Sequence, residues 1–208
     1  MAGQSFRTID LMVPASEADN FKDVFQVAPQ YLSQALSLAA QFQGAIDPTD
    51  LNFNFDRAMQ IAQSIPQSSV ATPLTHSVSG ASVQVGAMVA QFQEVIRAKA
   101  GIQTSSPAFW NQVNRALAHV FTDLSTQQES PWISWRSATD TSTRYYNNIL
   151  LALHNEETGG VMACMPIAFD INVSLVKQRV LFLTLQDSAR YEVRMRGLAM
   201  TQELTKSQ

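Results

Sequence analysis

The chain of 208 residues has a single cysteine, Cys164, so it forms no internal disulfide and its thiol content says nothing of compartment. Its three histidines, His76, His119 and His154, lie far apart, with no His-Glu-x-x-His pair and no Cys/His cluster at zinc spacing. There is no Gly-x-Ser-x-Gly elbow, no phosphate-cradling glycine loop and no dinucleotide fingerprint. Gly159 and Gly160 read as turn glycines, and Glu156–Glu157 sit side by side on a hairpin tip, a poor arrangement for paired acid–base work. The expectation is a protein that is not an enzyme, with no catalytic, metal or cofactor residues. Charge is also scarce: only 15% of residues carry one, the net charge is −3, and no Lys/Arg tract is present, which argues against nucleic acid. No run of 18 apolar residues could form a membrane-crossing helix, and the opening MAGQSFRTID lacks the charged-then-apolar pattern of a signal peptide. Any meeting with a membrane is expected to come after folding in water.

What the chain does have is long alternating β-pattern in its last third. Over 161–175, Val161, Ala163, Met165, Ile167, Phe169, Ile171, Val173 and Leu175 fall on one face. The other face begins apolar, with Met162, Cys164, Pro166 and Ala168, and turns polar at Asp170, Asn172 and Ser174. At ~3.3 Å per residue such a strand runs roughly 50 Å, whereas a membrane-spanning strand needs only about 9–11 residues. Further strands are expected at Trp132–Arg136, Arg144–His154, 178–186 and Arg190–Met200, and Pro166, lacking an N–H, implies an edge position or a bulge. The turn at 155–160 is too short for a crossover, so strand 161–175 must return antiparallel. The apolar centres Ile149–Leu153 and Val180–Leu185 need cover on both faces.

The first 130 residues read mainly as helices after a short strand, Phe6–Val13. Ser16 with Asp19 resembles a capping box opening a helix that carries Phe21, Val24 and Phe25. Pro29 suits the first turn of a helix with Leu32, Ala35, Leu36, Ala39 and Phe42 on one face, ended by Gly44. Asp50 caps a run bearing Phe55, Ala58, Met59 and Ala62 that stops before Pro66; a short strand around Val70–His76 follows. A helix over 81–100 carries Val85, Met88, Val89, Phe92, Val95 and Ile96, and Ser105 or Ser106 caps another over 107–124. Helices in two amphipathic layers around the strands give the expected fold: an α/β chain of the α+β type, one domain over 1–208, helix-rich at 14–130 and strand-rich at 131–200, with an antiparallel sheet between layers of helical hairpins.

Trp132-Ile-Ser-Trp135, Thr-Gly-Gly-Val-Met-Ala-Cys164, Val180-Leu-Phe-Leu-Thr-Leu-Gln-Asp-Ser-Ala189 and the Tyr31–Gln43 segment together resemble the cytolytic (Cyt) class of bacterial δ-endotoxins. The resemblance is collinear from about Phe6 to Leu204; the fungal volvatoxins resemble this class too. It implies a single α/β domain of helix hairpins around a sheet, binding to membrane phospholipids without a protein receptor, and lysis by homo-oligomeric pores or by detergent-like disruption. It also implies a protein released from its producing cell that acts on a target-cell membrane. Several such toxins are trimmed by proteases at both ends; with five residues ahead of the first expected strand, slight trimming or none is expected here.

On that reading the lipid-contacting residues are Trp132, Trp135, Leu151, Leu153, Ile167, Phe169, Ile171, Val173, Leu175, Leu181, Leu183 and Leu185, and the pore lumen is lined by Asp170, Asn172 and Ser174. Each has a blander competitor. Trp132 and Trp135 suit a water–lipid boundary, but core packing is the commoner use. Cys164 among apolar neighbours reads as a buried, inert thiol, and Arg190, Arg194 and Arg196 as either phosphate contacts or a solvated strand face. A membrane-surface or sugar-binding module that forms no pore is the rival function.

Overall fold

The computed structural model describes residues 9–11, 20–69, 71–100, 106–154 and 160–205. Among these residues seven strands form one sheet: β1 (Ile9–Leu11), β2 (Lys22–Val27), β3 (Thr72–Gln84), β4 (Ile133–Ala138), β5 (Thr143–Leu153), β6 (Val161–Val173) and β7 (Ser188–Glu203). The order is β1-β2-β5-β6-β7-β3, with β4 also on β5. Every pairing is antiparallel except β2 with β5, so the sheet is mixed. β4 and β2 occupy successive stretches of the same side of β5, residues 143–147 and 149–153 respectively.

Helices cover the sheet in two layers. α1 (Leu32–Phe42) and α2 (Phe55–Ser64) pack with Phe21, Phe25, Leu150, Ala152, Met162, Cys164, Leu198 and Met200 on one face. α3 (Val85–Lys99) and α4 (Pro107–Phe121) pack with Leu74, Val78, Ile149, Leu151, Ile167, Phe169, Ile171, Val193 and Met195 on the other. The tetrapeptide Ala-Gln-Phe-Gln, present at 40–43 and 90–93, puts a fully buried phenylalanine into each layer: Phe42 under α1 and Phe92 under α3. Ser106 caps α4 through its side chain, accepting from the Phe109 N–H, and Pro107 opens that helix. α2 is capped by Asn54, which accepts from the Arg57 N–H at 2.9 Å, and not by Asp50. Asp50 instead folds the preceding turn, accepting from the Asn52 N–H.

Three expected elements differ. Residues 22–27 are a strand between β1 and β5 and not a helix; all six are buried, so both faces are covered and the i, i+3, i+4 spacing of Phe21, Val24 and Phe25 mimics a helix. Ser16 and Asp19 lie outside the described residues, as does the turn at 155–159. β3 is far longer than the stretch expected near Val70–His76, and α3 starts at Val85 rather than 81. Its inward Leu74 and Val78 are diluted by Thr, Ser and Gly, which hides the alternation. Residues 178–186 form no strand. A four-residue helix α5 (Lys177–Val180) leads into turns closed by Asp187, whose Oδ2 accepts from the Thr184 N–H at 2.7 Å and from its hydroxyl. β6 therefore pairs directly with β7.

Pro166 lies in a central strand, neither at an edge nor in a bulge. The β6–β7 ladder skips Met165 and Pro166 without losing register, resuming at Ile167↔Gly197. Gly197 makes this possible, because a Cβ there would lie 2.5 Å from the Pro166 carbonyl oxygen and 2.9 Å from Ile167 Cα.

Candidate membrane-active face

Half of the sheet is two-sided in solvent terms. In β3, the N-terminal part of β5, the C-terminal part of β6 and the N-terminal part of β7, one face is dry beneath α3 and α4. Ile167, Phe169, Ile171, Val173, Tyr191, Val193 and Met195 are at most 3% exposed there. The dry face is pinned by aromatic contacts: Phe169 meets Phe92 and Phe121 edge-on at 5.3 and 5.8 Å, and Phe121 meets Tyr191 at 6.2 Å. The opposite face is wet. Ser77, Ser79, Arg144, Asp170, Asn172, Glu192 and Arg194 line an open groove of about 460 Å³ that no helix among the described residues covers. Arg144 grips Asp170 with two hydrogen bonds, Nε to Oδ1 at 3.1 Å and Nη2 to Oδ2 at 2.9 Å. That hydrogen bond, more than the charge attraction, raises the arginine's pKa. Parts of β5, β6 and β7 thus alternate buried and solvent-facing side chains in register, and β3 continues the pattern less cleanly, with a register shift between Gly80 and Val83.

The structure brings most of the sequence-selected residues onto these two faces. Ile167, Phe169, Ile171 and Val173 share the dry face with Leu151 and Leu153, while Asp170 and Asn172 lie on the wet one. Ser174 and Leu175 fall just past the end of β6, with Leu175 against the dry face's core and Ser174 exposed. Leu181, Leu183 and Leu185 are not on a strand: Leu181 and Leu183 are tucked into the core under the 177–187 turn, and Leu185 is partly exposed. Trp132, just before β4, is buried and donates from Nε1 to Gln127 Oε1 at 3.1 Å. Trp135 is half-buried, stacks obliquely on Tyr145 at 5.0 Å, and carries Lys177 Nζ 4.4 Å above its ring. Both indoles serve the folded core.

Sequence reasoning missed a polar cluster beneath the end of α4. Gln127 is its hub: Nε2 donates to the carbonyls of His119, Thr122 and Asp123, and Oε1 accepts from Trp132 and, at 3.5 Å, from Lys22 Nζ. Lys22, only 5% exposed, lies 5.7 Å from the Trp132 ring. Burial lowers its pKa to about 8 against a partial pull upward from Asp123. Burial, then Lys22 itself, also lowers His119. Asn147, which alternation puts on the same side of the sheet, is buried with neither amide atom hydrogen-bonded to protein; such a group costs about 1–3 kcal/mol. The α4 layer is therefore docked at a cost. On the other side of the sheet Asn148 Oδ1 is likewise buried without a protein partner, but α1 is clamped to the end of β7 by Gln34, which donates to Gln202 Oε1 and the Glu203 carbonyl and accepts from Thr205.

The Lys22 shift has a defined sign. A lysine whose folded pKa lies below its unfolded value costs stability at low pH and stops doing so as pH rises from about 8 to 10.5. Replacing it by methionine, Lys22→Met, should stabilise the fold at neutral pH by about 3 kcal/mol, and the gain should shrink across that window. Urea denaturation of both proteins at stepped pH measures the difference, in which the opposing titrations of buried Cys164 and Tyr145 cancel. A constant difference between pH 7 and 10.5 would refute the assignment.

Cys164 is fully buried, and burial, helped by nearby Asp23, pushes its thiol well above the ordinary range. Among the described residues no helix is long and apolar enough to cross a membrane, which leaves strands untouched as spanning elements.

Across half of the sheet, then, one face is dry and apolar beneath a helix layer and the other is open and polar, which makes those strands amphipathic. Over residues 1–208 the chain matches the family profile described as Bacillus thuringiensis toxin. It is 48% identical to the type-2Aa cytolytic delta-endotoxin of B. thuringiensis subsp. kyushuensis, across 97% of this chain and 78% of that protein. With the type-2Ba cytolytic delta-endotoxin of subsp. israelensis it shares 46% over 96% of this chain and 76% of that one. The crystal structure of activated Cyt2Ba monomer from subsp. israelensis superposes with a TM-score of 0.86 at 45% identity, covering 89% of this chain and 99% of that chain. A second solved structure, a delta-endotoxin, gives 0.91 at 47% identity, covering 100% and 91%. The chain belongs to the Bacillus thuringiensis toxin family, and within it to the cytolytic delta-endotoxins.

Proposed function

We propose that this chain lyses membranes by a two-state route in which the α3–α4 layer leaves the sheet and the uncovered strands of several copies close into a barrel. The chain is a cytolytic pore-forming toxin; the strand-by-strand route is what is proposed. The carrying observation is the in-register alternation of residues 143–147 of β5, 167–173 of β6 and 189–196 of β7, with one face dry and the other already wet. In lipid a closed barrel leaves no unpaired backbone edge. Ile167, Phe169, Ile171 and Val173 would face acyl chains, while Asp170, Asn172, Arg144 and Arg194 would face water. Phospholipids and further copies of the chain are the partners, and the target-cell membrane the place of action. The polar cluster at Lys22 and Asn147 supports α4 as the layer that moves, since it weakens that docking.

An environment-sensitive dye tests this. Placed at Val173, buried in the folded protein, it should become quenched by brominated acyl chains when liposomes containing them are added, and at Gln91, exposed on α3, it should stay unquenched. Protein-free liposomes that nevertheless release their contents supply the functional readout. The reverse dye pattern would favour helix insertion and sink the barrel.

A further inference from the structure

Among the described residues only two large hydrophobic side chains are exposed, Phe182 at 71% and Leu185 at 38%, and both stand on the turn between α5 and β7. One exposed phenylalanine is ordinary on a protein surface. This one is set apart by what its turn holds. The Leu181 carbonyl accepts from the Ser125 N–H at 3.1 Å, just beyond the end of α4. The Leu185 and Asp187 carbonyls accept from the Gly86 and Val85 N–H groups, each at 2.9 Å, at the start of α3. One turn thus binds both outer ends of the α3–α4 hairpin. Gly86 permits the approach, since a Cβ there would come within 3.1 Å of the Leu185 carbonyl oxygen. Inward-pointing Val180, Leu181 and Leu183 anchor the turn on the dry-face core, so the outward Phe182 and inward Leu181 and Leu183 move as one piece.

We infer that the 181–187 turn is a lipid-sensing latch: Phe182 and Leu185 enter the headgroup–acyl boundary of a bilayer, and the turn's displacement releases α3 and α4 together. This rests on the two-state reading above and adds what starts it. A bilayer fits the surface by charge as well as by apolarity. Exposed Arg179 stands beside the turn, with Lys177 further back over the Trp135 ring, and the turn's one carboxylate, Asp187, is engaged by Thr184. Cations beside an aromatic that enters the interface are placed to meet lipid phosphates. The three latch hydrogen bonds are few enough to yield to the burial of two apolar side chains, and without them the N–H groups of Val85 and Gly86 become free amides at a helix N-terminus, where water serves equally well.

The test is the double variant Phe182→Ser/Leu185→Ser beside Phe182→Trp, with phosphatidylcholine vesicles as the probe. Both positions are exposed, so circular dichroism and thermal midpoint should stay at wild-type values. Vesicle co-sedimentation of the double variant should fall by about tenfold or more, dye release should fall with it, and Phe182→Trp should retain both. Hydrogen exchange should quicken at Val85, Gly86 and Ser125 when wild-type protein meets vesicles, and not in the double variant. Wild-type binding and lysis by the double variant would overturn the latch while leaving the two-state reading in place, and so would vesicle-bound wild-type protein whose three amides stay protected. A wild-type protein that releases no dye would overturn both. Loss of a solution dimer in the double variant, by sedimentation velocity, would reassign the patch to a second copy of the chain and overturn the lipid role.

Discussion

Tying α3 to β3 should abolish lysis while leaving the soluble fold and the first contact with lipid intact. His76 Nε2 and Gln91 Nε2 approach to 2.9 Å, and the His76 ring meets Phe92 edge-on at 5.7 Å, so this part of β3 lies directly under α3. Cysteines at both positions, joined by a short bis-thiosulfonate linker, would hold helix and strand together; buried Cys164 would not compete for the reagent. The dry face carries Phe169, Ile171, Val193 and Met195, and these reach acyl chains only after α3 has moved. Dye release from liposomes should drop to the protein-free level in the linked form and return on reduction. A lectin-like surface binder has no reason to respond to such a link. Full lysis by the linked protein, with the link confirmed by mass, would show that the intact fold disrupts membranes from their surface.

The second large effect concerns the sheet itself. Gly197→Ala should destabilise the soluble protein by about 3 kcal/mol, near the upper end for overpacking, because the new methyl meets backbone of the central strand and not a movable side-chain tip. For a chain of this length that is a fall of roughly 6–12 °C in thermal midpoint. Gly44→Ala is the control: its Cβ would rest 3.5 Å from Ile61 Cδ1, ordinary contact, and the midpoint should barely move. Equal midpoints for Gly197→Ala and wild type would mean that β6 and β7 separate easily at Pro166, and the close approach would lose its structural importance.

The helices α1 to α4, and the parts of β5, β6 and β7 with one covered face, were legible because they leave a period of 3.6 or 2 in the sequence, while the doubly buried stretches of β5 and β6 showed as apolar runs. That alternation alone put Ile167, Phe169, Ile171 and Val173 on one side of β6 and Asp170 and Asn172 on the other. The long motifs at 132–135, 158–164 and 180–189 carried the family. β2 was not legible, since a central strand buried on both faces has no period to show, and neither was β3, where Ser, Thr and Gly dilute the inward Leu74 and Val78. The apolar run at 180–185 reads as a strand by composition, yet β6 and β7 already satisfy one another's backbone, and the run is left to strap the helix ends. Lys22, Gln127 and Trp132 are 105 and 5 residues apart in steps along the chain, and no local pattern could join them. The sequence by itself determined which side of each amphipathic strand is oily, because side chains alternate by covalent geometry. Only the tertiary structure decided which oily side is hidden, what hides it, and how loosely, because those depend on contacts between segments far apart in the chain.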